Sequence, residues 1–216
     1  MNLLLEVLAG GVRGGTSILY AGLGETISER AGVVNLGTEG CMLVGALAGY
    51  AVTAVTGHPW AGVGAAAVAG AALALVHGVL VLSRRTNQLA TGLVVLFGGL
   101  GLTSLLGGPF VHPSQEVHPF RHLPVPVLSK LPVVGPVLFD HDPLTYLSIV
   151  AAPVVWWFLF RTRWGLLVRG AGERAEVLTA YGHSPRRVQY LAVCAGGCLA
   201  GVGGAQLSTA YANAWF

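Results

Sequence analysis

The chain has 216 residues, of which 54% are hydrophobic and only 10% charged, with a formal net charge of +3 and a mean hydropathy of +0.69. A water-soluble domain carries about 25% charged residues, so this chain lacks the polar groups to face water on all sides. Its long apolar runs lack strand-like alternation, which points to membrane-spanning helices and excludes a β-barrel, and its charge gives no reason to expect nucleic acid as a partner.

Six apolar segments follow one another. The first, residues 3–23, is interrupted by Glu6 and Arg13 and is expected to be the weakest, starting at the interface and spanning with help from its neighbours. A GETISER loop is expected after it. The second, about 31–56, is interrupted only by Glu39 near its start. The third, 60–82, carries no formal charge and ends at Arg84-Arg85; His77 inside it reads as a packed interhelical donor. The fourth covers about 89–107. Each of these last three is long enough for a span of ~20 residues. Next comes a polar insertion, 109–142, whose prolines prevent a continuous helix. Segments five and six, 144–160 and about 188–210, flank the stretch 161–187. The predicted fold is all-α, a single polytopic helix bundle over 1–216. No signal peptide with a small-residue cleavage site is expected.

The 161–187 stretch fixes an orientation. It carries six of the twelve Lys and Arg, against Glu173 and Glu176, and cation-rich loops stay on the cytoplasmic side. Alternation then makes 109–142 an extracytoplasmic loop, with both ends of the chain outside and Trp60 and Trp215 at the outer interface. Within the basic stretch, 172–181 reads as one short amphipathic helix, with Val177, Leu178 and Tyr181 facing away from Glu173 and Arg174. Gly182 is its expected stop, and Pro185 forbids continuation. Such a helix either docks into another protein or lies as a plain connector on lipid headgroups.

Polar residues at the segment boundaries are the candidate site. Asn35 and Glu39, four apart, share a helical face in a start broken by Gly32, Gly37 and Gly40. Polar, broken backbone at membrane depth is tolerated where it is buried in protein or lines a cavity. Glu39 and Arg30 either border a solute path or pair structurally at the boundary. Asn87 and Thr91 at the start of segment four bond either a solute or a neighbouring helix. Gly45-x-x-x-Gly49 and Gly197-x-x-x-Gly201 offer small faces for close helix contact.

No catalytic or metal site is expected. His112, His118, His122 and His141 are separated by Pro113 and Pro119 and lack an acidic or thiolate shell, and Cys41, Cys194 and Cys198 sit in apolar stretches as packing residues. GxxxxGK[ST], HExxH and GxSxG are all absent. Energy for any transport must come from an ion gradient or from another subunit. An ion-coupled secondary transporter of a small polar solute, or a non-transporting scaffold, remain alternatives. The former needs an ionisable residue at mid-membrane depth, where Arg13 is the one charge well inside a segment, and usually an inverted repeat, which the sequence lacks.

Four blocks carry a family resemblance. GETISERAGVVNLGTEGCMLVGA, TNQLATGLVV, RTRWGLLVRGAGERAEVLTAYG and AGGCLAGVGGAQLS, in this order over 14–208, resemble the signature of bacterial ABC importer permeases for nucleosides and simple sugars, within the branched-chain amino acid and ribose permease group. Gly170 stands where that pattern usually has alanine. Members continue into further spanning helices, so C-terminal spans are expected to be missing here. The resemblance implies a type II ABC importer permease fold in the bacterial plasma membrane, crossing it several times. Its implied partners are cytoplasmic ABC ATPase subunits that hold ATP and Mg, a second, similar permease, an external substrate-binding lipoprotein and membrane lipids. It also implies an ATPase-coupling loop at Arg169, Gly172, Glu173, Arg174, Val177, Leu178, Tyr181 and Gly182. Asn35, Thr38, Glu39, Asn87 and Thr91 are the candidate pathway residues for a small solute, nucleosides being favoured over ribose-like sugars.

Overall fold

A computed structural model describes residues 3–111, 120, 123–124 and 139–212. Helices dominate: α1 (Leu3–Arg30), α2 (Thr38–Thr56), α3 (Pro59–Gly78, extended by a π-helical turn Val79–Ser83) and α4 (Gln88–Gly107, then a 3-10 turn Gly108–Phe110). After two paired antiparallel strands, β1 (Leu123–Pro124) and β2 (Asp140–His141), come α5 (Pro143–Arg161), α6 (Arg163–Glu173), α7 (Ala175–Ala180) and α8 (Pro185–Ala205, ending in a π-helical segment Gln206–Tyr211). Among the described residues five helices are long and apolar enough to cross a membrane: α2, α3, α4, α5 and α8. These coincide with predicted segments two to six. With its 28 residues α1 has the length to span, but Glu6, Arg13, Glu25, Glu29 and Arg30 dilute its hydropathy.

Helix α8 is the centre of the bundle, packed against α1, α2 and α3. Its small residues make this possible. A methyl group added to Gly45 of α2 would sit 2.5 Å from the Gly201 Cα of α8, so these backbones touch directly. Both predicted small-residue faces are thus used within the chain. Alternating chain direction gathers Arg30, Arg84, Arg85, Arg161, Arg163, Arg169, Arg174, Arg186 and Arg187 at one end, the basic end. At the opposite end Arg13 reaches β2, with its Nε 3.4 Å from His141 Nδ1.

Three expectations need correction. The GETISER stretch is the end of α1 and not a loop, because Gly24, Ile27, Ser28 and Ala31 keep helical spacing and are buried. Helix α2 starts at Thr38, so Asn35 and Glu39 do not share a helical face. The single helix expected over 172–181 is two helices, broken at Arg174 (φ −149°, ψ 77°). In one continuous helix Leu178 would lie about 10 Å beyond Ala171 along the axis. The break instead returns Leu178 to the Cδ1 contact with Gly170, and into a core with Ile27, Leu159, Val168 and Val188. Leu178 therefore parts from Val177 and Tyr181, which remain exposed. An alanine at position 170 would collide with Leu178 unless that side chain moved.

Candidate functional site

Residues 31–37 run as non-helical backbone between α1 and α2, with Ala31, Val33, Asn35 and Gly37 buried. Buried peptide groups outside a helix need other partners. Side chains from four helices supply them. Gln189 Nε2 of α8 donates to Ala31 O at 3.1 Å, and Gln88 Nε2 of α4 to Gly32 O at 3.4 Å. Gln88 Oε1 accepts from Val34 N at 2.8 Å. His77 Nε2 of α3 lies 3.2 Å from Val34 O, and since a carbonyl only accepts, that nitrogen carries the hydrogen. From α1, the Glu25 carboxylate accepts from Asn35 N at 2.7 Å and from Thr38 Oγ1 at 2.8 Å. The segment is a strap held from every side.

Two cavities lie beside α2. The first, about 550 Å³, lies toward the basic end and is bordered by Glu25, Thr38, Glu39 and Met42, then by Leu43 and Leu207. The second, about 380 Å³, lies toward the other end and is lined there by Gly107, Gly108 and Val111, with Thr103, Ser104 and Ser208 also on its wall. Both volumes fall in the range of small-molecule sites, about 300–1,000 Å³. No charged side chain borders the second cavity, whereas two carboxylates border the first.

The five candidate pathway residues divide accordingly. Thr38 and Glu39 border the basic-end cavity. Asn35 is buried, and its Oδ1 accepts from Gly37 N at 2.9 Å. Asn87 caps α4, its Oδ1 accepting from Leu89 N and Ala90 N. Thr91 is buried and pairs with Thr86 at 2.8 Å. Glu25 and Gln88 were not among the candidate pathway residues, although both stand inside the quoted motifs and Gln88 is one of the polar residues that open segment four. The unbroken helical spacing of buried residues through Ala31 was the available signal for Glu25: it extends α1 and turns this carboxylate toward the strap.

The basic loop is joined to the strap by two glycines. A methyl on Gly172 would lie 2.5 Å from Arg30 O, and one on Gly32 (φ +84°) would lie 3.0 Å from Gly172 Cα. Any larger residue at either position would force α6 away from the strap. Arg169 turns inward, its guanidinium 5.1 Å from the Phe160 ring centroid, with Arg30 5.5 Å from the same centroid. Glu173, Arg174, Val177 and Tyr181 are exposed, and Gly182 (φ +78°) ends the loop helices in the left-handed conformation expected of a stop. Among the described residues no group of three metal-binding side chains occurs. His112, His118 and His122 lie outside the described residues.

Comparison with known proteins adds the following. The family model described as "Branched-chain amino acid transport system / permease component" matches residues 7–216. The chain is 42% identical over its full length to a provisionally named glucose ABC transporter permease protein of Haloferax volcanii, covering 66% of that protein. It is 31% identical, over 87% of its length, to a guanosine ABC transporter permease protein of Bacillus subtilis, covering 62% of it. Similarity to a nucleoside ABC transporter permease protein of Lactococcus lactis is 30%, over 95% of the chain and 68% of that protein. The chain thus spans about two thirds of the length of these relatives. No solved structure matches it.

Proposed function

The chain belongs to the branched-chain amino acid transport system permease family, and from that premise we propose that it forms part of the translocation path of an ATP-driven importer of nucleosides or simple sugars. The names of its relatives, which concern glucose, guanosine and nucleosides, support that substrate range. The family is one of transport permeases and is not itself catalytic. ATP and Mg are held, in this reading, by separate cytoplasmic ATPase subunits that meet the basic end. A second permease and an external binding lipoprotein complete the assembly.

The observation that carries the reading is the Gly172–Gly32 contact. It joins the basic loop to the strap that leads into the wall of the basic-end cavity. Glu173, Arg174, Val177 and Tyr181 form the outward face for the ATPase, and Arg169, Gly172 and Leu178 fix that face to the bundle. Closure of the ATPases displaces α6 and α7 as one unit, because Leu178 and Gly170 lock them together. Displacement at Gly172 bears on residues 30–32, and the strap passes it to Asn35 and Thr38. A ligand-driven change needs different contacts in two states, and the docked loop supplies that difference.

The test is reconstitution of the assembled importer with Glu173→Ala and with Gly182→Val. Each is expected to insert normally and to let ATP hydrolysis proceed with reduced solute uptake. Normal coupled uptake in both variants refutes the docking role, and uptake by this chain alone, without an ATPase, would favour an ion-coupled carrier.

A further inference from the structure

The two cavities lie toward opposite ends of the bundle, yet three residues border both: Leu43 and Ala46 of α2, and Leu207 of α8. We propose that Leu207, closing against Leu43 and Ala46, is the apolar gate that separates an outer from an inner vestibule. This rests on reading the cavities as one solute path, and it assigns the constriction within that path.

Local geometry explains why Leu207 is the moving part. It sits on the π-helical segment Gln206–Tyr211, where the ordinary i→i+4 ladder of α8 is interrupted. Such segments widen the helical turn and occur frequently at functional positions. This one is fastened on both flanks. Ser208 Oγ donates to Ala46 O at 2.9 Å, which ties it to α2. Gln206 Nε2 donates to Arg13 O at 3.2 Å, which ties it to α1. Leu207 lies between these two bonds and is half-buried at the joint border of the cavities. Gln206 Oε1 is buried without a hydrogen-bond partner among the described residues. The Gln206 amide is therefore satisfied on its donor side and not on its acceptor side, a cost the segment carries in this arrangement.

Chemistry on either side fits a gate. On the wall of the outer vestibule Thr103 and Ser208 already donate to Gly99 O and Ala46 O, which leaves the Ser104 hydroxyl and no charge, a wall that suits an uncharged, hydroxyl-bearing solute. The inner vestibule adds Glu25 and Glu39, which repel anions such as phosphorylated solutes. Between them stand only aliphatic groups at the shared border, and a constriction of that kind stays closed to polar solutes and ions by excluding water.

The experiment uses membrane vesicles of both orientations holding the assembled importer, with Cys41, Cys194 and Cys198 replaced by alanine. Ser104→Cys reports on the outer vestibule and Met42→Cys on the inner one. The probe is a membrane-impermeant quaternary-ammonium thiol reagent. With Leu207 present, Ser104→Cys is expected to react only from the side of loop 109–142 and Met42→Cys only from the basic side. Adding Leu207→Ala, or separately Leu43→Ala, is expected to raise reaction from the opposite side at least about tenfold, whereas Leu207→Met leaves the pattern unchanged. Opposite-side reaction that stays as slow in both alanine variants overturns the gate, as does two-sided reaction with both leucines in place. Co-purification of the other subunits establishes that each variant is folded. Uptake of radiolabelled glucose and uridine is measured separately, so an importer without either activity counts against the substrate reading and leaves the labelling result standing.

Discussion

Replacing Glu25 tests whether the strap is held as the hydrogen bonds indicate. The carboxylate accepts from Asn35 N at 2.7 Å and from Thr38 Oγ1 at 2.8 Å, yet the two donors depend on it unequally. Thr38 Oγ1 has a second acceptor in Asn35 O at 2.7 Å, so its hydrogen simply turns to that carbonyl when Glu25 is removed. The buried Asn35 N–H has no other acceptor among the described residues and is orphaned, which costs about 1–3 kcal/mol. Taking 2 kcal/mol as the middle of that range, Glu25→Ala is expected to lower the melting temperature by about 4–8 °C for a chain of this size. Glu25→Gln behaves differently. Its Oε1 still accepts from Asn35 N, and its Nε2 donates to Thr38 Oγ1 once that hydroxyl has turned to Asn35 O. The glutamine variant is therefore expected to melt within about 2 °C of the parent. The assay is tryptophan-fluorescence melting of the purified chain in detergent. Equal destabilisation by Gln and Ala would show that charge, and not the acceptor position, holds the strap. An alanine variant that melts with the parent would show that Asn35 N–H finds another partner, and the account of the strap would fail.

Other outcomes follow from single contacts. Asn87→Ala removes the side-chain cap of α4 and is expected to cost about 1 kcal/mol, read as a melt lowered by about 2–4 °C. Gly201→Leu drives a side chain into the α3 backbone at Ala66 and Ala67 and is expected to abolish monodisperse folded protein on size-exclusion chromatography in detergent. Gly172→Val forces α6 away from the Arg30 carbonyl. In the assembled importer it is expected to lower solute uptake about tenfold at unchanged hydrolysis, a coupling loss of about 1.4 kcal/mol.

The spans were legible because each is decided locally. A run of some twenty apolar residues bounded by Pro59, Pro143 or Pro185 has few alternatives in a membrane, and the bundle adds only partners. The strap was legible as a broken helix start, from its glycines and polar residues, but its holders were not. They come from Glu25, His77, Gln88 and Gln189, and the Gln189 bond to Ala31 spans 158 positions of sequence. Nothing in local periodicity marks such a pairing. The same distance effect hid the break at Arg174, which is set by where Leu178 finds its core and not by the helix propensity of 172–181.

A deeper ambiguity concerns the polar residues themselves. An asparagine that meets a solute and one that holds backbone have the same donors and acceptors, so residue type cannot separate the two roles. What separates them is whether those groups are already used. Asn87 Oδ1 is occupied by two backbone N–H groups, and Asn35 Oδ1 by Gly37 N. Recruiting either to a solute would first strip a helix start or the strap of its partner, at about 1 kcal/mol or more. Glu39 and Ser104 carry no such obligation among the described residues, and each borders a cavity. On the proposed reading, solute contact falls to residues the fold leaves unsatisfied on a cavity wall. Those the sequence makes most conspicuous, in its N-x-x-T-E and N-Q motifs, are in good part spent on building that wall.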